Sequence, residues 1–139
     1  MENRYCLQMV SCGDGCCGSA AENVYSTEET ICGKWIDGKQ IYRKVITGTF
    51  AVDSGNALVF ANVSDLKIDR LINLYGNSME NNNLVQFTLP ANHITTAGTN
   101  AAVNMYYHSG NGNILYHFLN NSGKYSGSTA YVVIEYTKK

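Results

Sequence analysis

Apolar and β-branched side chains recur at alternate positions in short runs, and each run ends in Gly, Asn, Asp, Ser or Pro. Period-two alternation of this kind marks strands with one buried face. The run 30–36, then Asp37-Gly38, then 39–46 predicts a hairpin. Asp-Gly favours a two-residue type I′ turn, with positive φ at both central positions. In that register Trp35 faces Gln40 and Gly33 faces Tyr42, so a ring lies over a strand glycine. Residues 57–63 form the next apolar strand. The stretch 66–75 fits two patterns: Ile68, Leu71, Ile72 and Tyr75 share a helical face, while Ile68, Ile72 and Leu74 share a strand face with Arg70 as the exception. Neighbouring strand signals favour the extended reading from Ile68 onward. Residues 84–89 run up to Pro90, which cannot donate to a central ladder, and His93 is expected in a loop beyond it. A second hairpin joins 102–108 to 113–119 through Ser109-Gly110-Asn111-Gly112, and 129–137 is the most strand-like run. The sum is an all-β chain. It is expected to be an antiparallel, jelly-roll-like β-sandwich of about seven or eight strands with an irregular N-terminal arm.

Composition agrees and narrows the possibilities. The chain has 139 residues, enough for one core. Sixteen Asn and thirteen Gly supply turns, and ten Tyr suit a pleated, half-buried surface. Ten basic and eleven acidic residues leave a formal net charge of −1, which argues against nucleic acid as a partner. No apolar run approaches the roughly 18 residues of a membrane span, and residues near Met1 lack the apolar centre of a signal peptide. Residues 1–24 have turn composition without periodicity and read as an attachment arm; the sandwich domain is expected over 25–139. All five cysteines (Cys6, Cys12, Cys16, Cys17 and Cys32) lie in the first 32 residues, so the strand-rich body beyond them does not depend on disulfides.

Reactive groups are sparse. Cys12, Cys16 and Cys17, with Cys6 and Cys32, supply only half of a structural zinc spacing plus a vicinal pair. Reduced thiols in a small-residue arm are the simpler reading, so neither metal nor cofactor is expected. His108 and His117 lie on opposite ends of the second hairpin, too far apart to share an ion. No nucleophile elbow, metalloprotease helix or phosphate loop is present. The pairs Glu28/Glu29 and Asp65/Asp69 have ordinary loop spacing. The expectation is a protein that is not an enzyme, with no catalytic residues. A sugar-binding surface competes better, since aromatic platforms with Asn and Gly on loops suit glycans. Tyr106, Tyr107, Tyr116, Tyr125, Trp35, Asn111 and Asn113 are available; Tyr107, Asn111, Asn113 and Tyr125 are the candidate set, with Tyr125 the most exposed.

Two segments carry a resemblance. Tyr25-Ser-Thr-Glu-Glu29, with Gly33-Lys-Trp-Ile-Asp-Gly-Lys39 and Ile41-Tyr-Arg-Lys44, resembles the opening of a β-sandwich module of bacteriophage fibre and tail proteins. Ala130-Tyr-Val-Val-Ile-Glu-Tyr-Thr-Lys138 is similar to its close, and Leu89-Pro90 to a recurrent strand end. The resemblance spans about 25–139 and supports a strand at 66–75. It implies a virion structural protein made in the bacterial cytoplasm and exposed on the particle. It also implies a homotrimer whose partners are its own copies and other capsid or tail proteins. The chain is then either a short standalone head fibre or decoration protein, or a piece of a longer fibre. Cys12, Cys16, Cys17, Tyr25, Trp35 and Tyr42 are the expected oligomer and attachment residues. The alternative is a lectin-like module at a tail fibre tip that takes a host surface glycan.

Overall fold

Alternation of the kind seen in 129–137 buries one face of a strand only when a second layer covers it. The computed structural model describes residues 23–53, 55–79, 85–94, 100–118 and 125–139; of the expected arm, only Asn23 and Val24 lie within them. The strands are β1 Thr30–Lys34, β2 Gln40–Thr49, β3 Gly55–Asn62, β4 Ile68–Met79, β5 Gln86–Leu89, β6 Ala91–Ile94, β7 Asn100–His108, β8 Asn113–Phe118 and β9 Thr129–Lys138. They form two antiparallel sheets, ordered β1-β2-β9-β4-β5 and β3-β8-β7-β6. The expected sandwich is therefore present, with nine strands among the described residues instead of seven or eight.

The additional strand is β6. His93 lies within it, opposite Ala101, and not in a loop. Leu89 still pairs with Gly76 in the five-stranded sheet, whereas Ala91 pairs with Val103 in the four-stranded one. Pro90, which lacks an N–H, is the corner where the chain changes sheets. The alternation continues past it, so a proline read as a stop is a bend between two strands.

The first hairpin departs from the expected register. Lys34 faces Gln40 and Gly33 faces Ile41, with a bulge at Cys32 that puts Ile31 opposite Tyr42. Gly38 N–H donates to the Trp35 carbonyl, and Trp35 N–H to that of Lys39. Gly38 has φ 88°, while Asp37 has no positive φ. This is a type I turn followed by a left-handed glycine, the three-residue hairpin form. The Asp37 carboxylate accepts the Lys39 N–H, a side-chain contact that favours it over the two-residue turn. A ring does cover a strand glycine, but elsewhere: a Cβ on Gly48 would lie 2.6 Å from the Phe60 ring.

Strand β4 resolves the double pattern of 66–75. Bulges at Asp69 and Ile72 interrupt its pairing with β9. Each bulge adds one residue, so the core-facing positions become Ile68, Leu71 and Leu74. Two bulged strand repeats mimic the three-residue spacing of a helix. Leu71 replaces Ile72 on the expected strand face.

The core joins Phe50, Val103, Ile114, Tyr116, Phe118, Val132, Ile134 and Tyr136. Phe50 packs on Tyr116 and Phe118 at 5.1 and 5.8 Å between ring centroids. The Tyr116 hydroxyl accepts the Ala51 N–H, so its polar end is satisfied. Among the described residues, strand β1 packs extensively on β2 alone and forms an edge of its sheet.

Candidate functional site

The opening segment 23–29 and the closing strand β9 meet in space. On the outer face of the five-stranded sheet, the central strand β9 carries Glu135, only 8% exposed. Antiparallel register puts Arg43 of β2 on one side and Asn73 of β4 on the other. Arg43 Nε and Nη2 both reach Glu135 Oε2 at 2.7 Å, and Asn73 Nδ2 donates to Oε1 at 2.8 Å. The Tyr75 hydroxyl lies 3.4 Å from both Glu135 Oε2 and the Tyr25 hydroxyl. Tyr25 in turn lays its ring over the Arg43 guanidinium, 4.5 Å from the centroid. Asn23 also accepts a hydrogen bond from Arg43 Nη1, and the Ser26 carbonyl accepts the Val45 N–H. The segment 23–29 is thereby strapped across the sheet.

A second knot ties the same segment from the other side. The Glu29 carboxylate accepts from the Tyr136 hydroxyl and from Lys138 Nζ. Tyr136 stacks against Tyr42, and Lys138 sits over the Tyr42 ring. Tyr42, expected at a subunit contact, is thus half-buried against the core. Tyr25 is exposed and Trp35 partly so. Cys12, Cys16 and Cys17 lie outside the described residues.

The electrostatics are those of a clasp. Burial would raise the Glu135 carboxyl, but hydrogen bonds from Asn73 and Arg43 and the Arg43 charge outweigh it and hold the pKa below the usual carboxylate range. Glu29 behaves alike: burial raises it, and Lys138 and Tyr136 bring it down. Burial, then Tyr25 and Glu135, push the Tyr75 hydroxyl well above the ordinary tyrosine range. Burial and Glu29 do the same to Tyr136. Both carboxylates are fully engaged at neutral pH, and both phenols keep their protons. Such pairing ties the segment to the sheet through charges already matched within the fold. The exposed Cys32 thiol is pushed up by partial burial and by Glu135, against Arg43, which leaves it a weak nucleophile.

His117 Nδ1 accepts the Ala57 N–H while its ring stacks on Tyr106, and His108 Nδ1 accepts the Gly110 N–H. Asp69 pairs with Lys39 at 2.7 Å. Among the described residues no three His, Cys, Asp or Glu side chains gather as a metal site.

The expected glycan set is not brought together. Tyr125 is 0% exposed, a correction to the expectation that it is the most open tyrosine. Its Gly/Ser-rich turn is pinned by Gly127 N–H to the Ala51 carbonyl and Ser128 N–H to the Tyr125 carbonyl. The ring thereby tucks under Phe87, 4.0 Å between centroids. Tyr107, Asn111 and Asn113 lie at the opposite end of the strands, around the 109–112 turn. Asn113 accepts from Asn62 Nδ2 at 2.7 Å and is part of the scaffold. Tyr107 and Asn111 line a small polar depression.

The residues the sequence reading missed are Glu135, Asn73 and Tyr75. Their signal was a lone carboxylate inside the most apolar run, which required a buried partner. Compared with known proteins, the chain matches no family model, no curated protein and no solved structure.

Proposed function

We propose that this chain is a structural protein of a bacteriophage particle, a surface fibre or decoration subunit that assembles as a homotrimer and attaches through its N-terminal arm. One observation carries the reading. Beside the clasp, the edge strand β1 and its flanks expose Val24, Tyr25, Ile31 and Ile36, with Ile31 59% and Ile36 91% accessible. An open strand edge flanked by apolar side chains invites pairing with another chain unless something covers it. Copies of this chain around a symmetry axis provide that cover at every edge alike. The clasp supports the same role. It ties residues 23–29, at the boundary of the proposed arm, firmly to the sandwich, as an arm docked on capsid or tail proteins requires. No catalytic role is assigned. Antibody raised against the purified chain and applied with gold label to intact phage particles is the test. Regularly spaced label on heads or tails is expected, and particles without label would overturn the proposal.

A second reading, a lectin-like module that takes a host glycan, is favoured by the polar depression at the 109–112 turn.

A further inference from the structure

We propose that this depression holds one carboxylate-bearing sugar unit, an inference that deepens the glycan-binding reading and rests on it. Ser64, Lys67, Tyr107, Ser109, Asn111 and Lys139 line it, and its volume of about 220 Å³ suits a single ring.

The walls are rigid. Gly112 has φ 74°, and a Cβ there would lie 2.6 Å from that of Ser64, so the two loops touch backbone to backbone. Val63 N–H donates to the Gly112 carbonyl at 2.7 Å, and Asn62 Nδ2 to the Asn111 carbonyl at 3.0 Å. Lys139 N–H donates to the Lys67 carbonyl, which fastens the 67 and 139 segments together. Lys67 itself has φ 55°, a left-handed conformation that costs a non-glycine residue energy and persists only where its surroundings hold it. A preformed recess of this kind binds without a large ordering cost.

Its chemistry selects the ligand. The ammonium groups of Lys67 and Lys139 form no ion pair among the described residues. The nearby Asp69 carboxylate is already taken by Lys39. Lys139 feels the Asp69 charge only as a lesser neighbour, after Lys39 and Arg70, so two cations on facing segments, neither in an ion pair among the described residues, suit one carboxylate. Ser109 and the Asn111 amide provide neutral donors and acceptors for hydroxyl groups, while Asn111 Oδ1 is occupied by the Asn113 N–H. Tyr107 packs partly on the core and joins the lining of the depression. Paired cations with hydroxyl-matching groups fit a uronic or a nonulosonic acid better than a neutral hexose.

The test is backbone-amide NMR on the full chain, titrated separately with sodium glucuronate, N-acetylneuraminate, glucose and sodium acetate. At least one of the two sugar acids is expected to give saturable shifts confined to Ser64, Lys67, Tyr107 and 109–112, and the acid that does so identifies the class. Glucose is expected to leave these amides unmoved. Lys67→Gln with Lys139→Gln is expected to weaken the response about tenfold or more, as for loss of charge-assisted hydrogen bonds. Lys139→Gln alone, at an exposed position, keeps the comparison available should the double variant fold poorly. The assignment is overturned if neither acid moves these amides, or if acetate moves them as strongly as the sugars. Binding of a neutral glycan at another surface would overturn it too, while leaving the broader glycan reading standing.

Discussion

Replacing Glu135 with alanine is expected to destabilise the fold by about 3–5 kcal/mol, because it strands a charge that has left water. The Arg43 and Glu135 side chains are each only 11% exposed, so solvent screening softens little of this. Asn73 loses its acceptor at the same time, and the Tyr25–Arg43–Tyr75 strap loses its centre. The change in urea midpoint measures the effect. Substituting both partners, Arg43→Met with Glu135→Leu, is expected to recover much of the loss, since no charge is then left alone. A Glu135→Ala variant within about 0.5 kcal/mol of the parent, the range of an ordinary surface change, would contradict the clasp.

Acid tests the same group without mutation. The carboxyls of Glu135 and Glu29 are both depressed in the folded state. Their contribution is therefore complete above the unfolded-state value of about 4.3 and is lost as pH falls through the lower folded-state values. The melting temperature is expected to be level from neutral pH down to about pH 5 and to drop below about pH 4. Glu135→Gln is expected to flatten that drop.

Gly76→Ala is expected to be the other severe change, costing about 3 kcal/mol or more. Gly76 sits where β4 crosses beside β9, opposite Val132. A Cβ there would lie 2.2 Å from the Tyr131 carbonyl oxygen and 3.0 Å from the Val132 Cα. Both obstacles are backbone at the middle of the sheet, so relief requires the two strands to part. Gly33→Ala is the matched control: the same added methyl group meets only the end of Ile41 at 3.9 Å, and a change within about 0.5 kcal/mol is expected. Calorimetric melting of the two variants compares them directly; equal losses would contradict the register assigned to β4 and β9.

What the sequence made legible was set by alternation. The sequence alternation of β8 and β9 marks their core-facing residues, although β9 is buried on both faces from Val132 to Thr137, and both strands begin where Gly and Asn or Ser interrupt the pattern. Misread places share one cause, a local device that shifts the period. The bulges at Asp69 and Ile72 turned a strand into an apparent helix face. Pro90 turned a corner that resembled a stop, and the Asp37–Lys39 contact chose a longer turn than Asp-Gly alone suggests. Among site residues, Tyr25 was visible through its motif. Glu135 and Arg43 were not seen as partners, because 92 positions separate them and only antiparallel pairing of β2 with β9 sets them side by side. Tyr125 was misjudged because a Gly/Ser-rich surrounding describes the turn, not the direction in which the ring leaves it.

Sedimentation equilibrium of the intact chain across a hundredfold range of concentration weighs the central claim, that the apolar β1 edge is covered by other copies. A mass of three chains is expected. Ile31→Lys with Ile36→Lys is expected to give single chains whose circular dichroism and melting are otherwise close to those of the parent. A parent chain that sediments as one copy at every concentration would contradict the account.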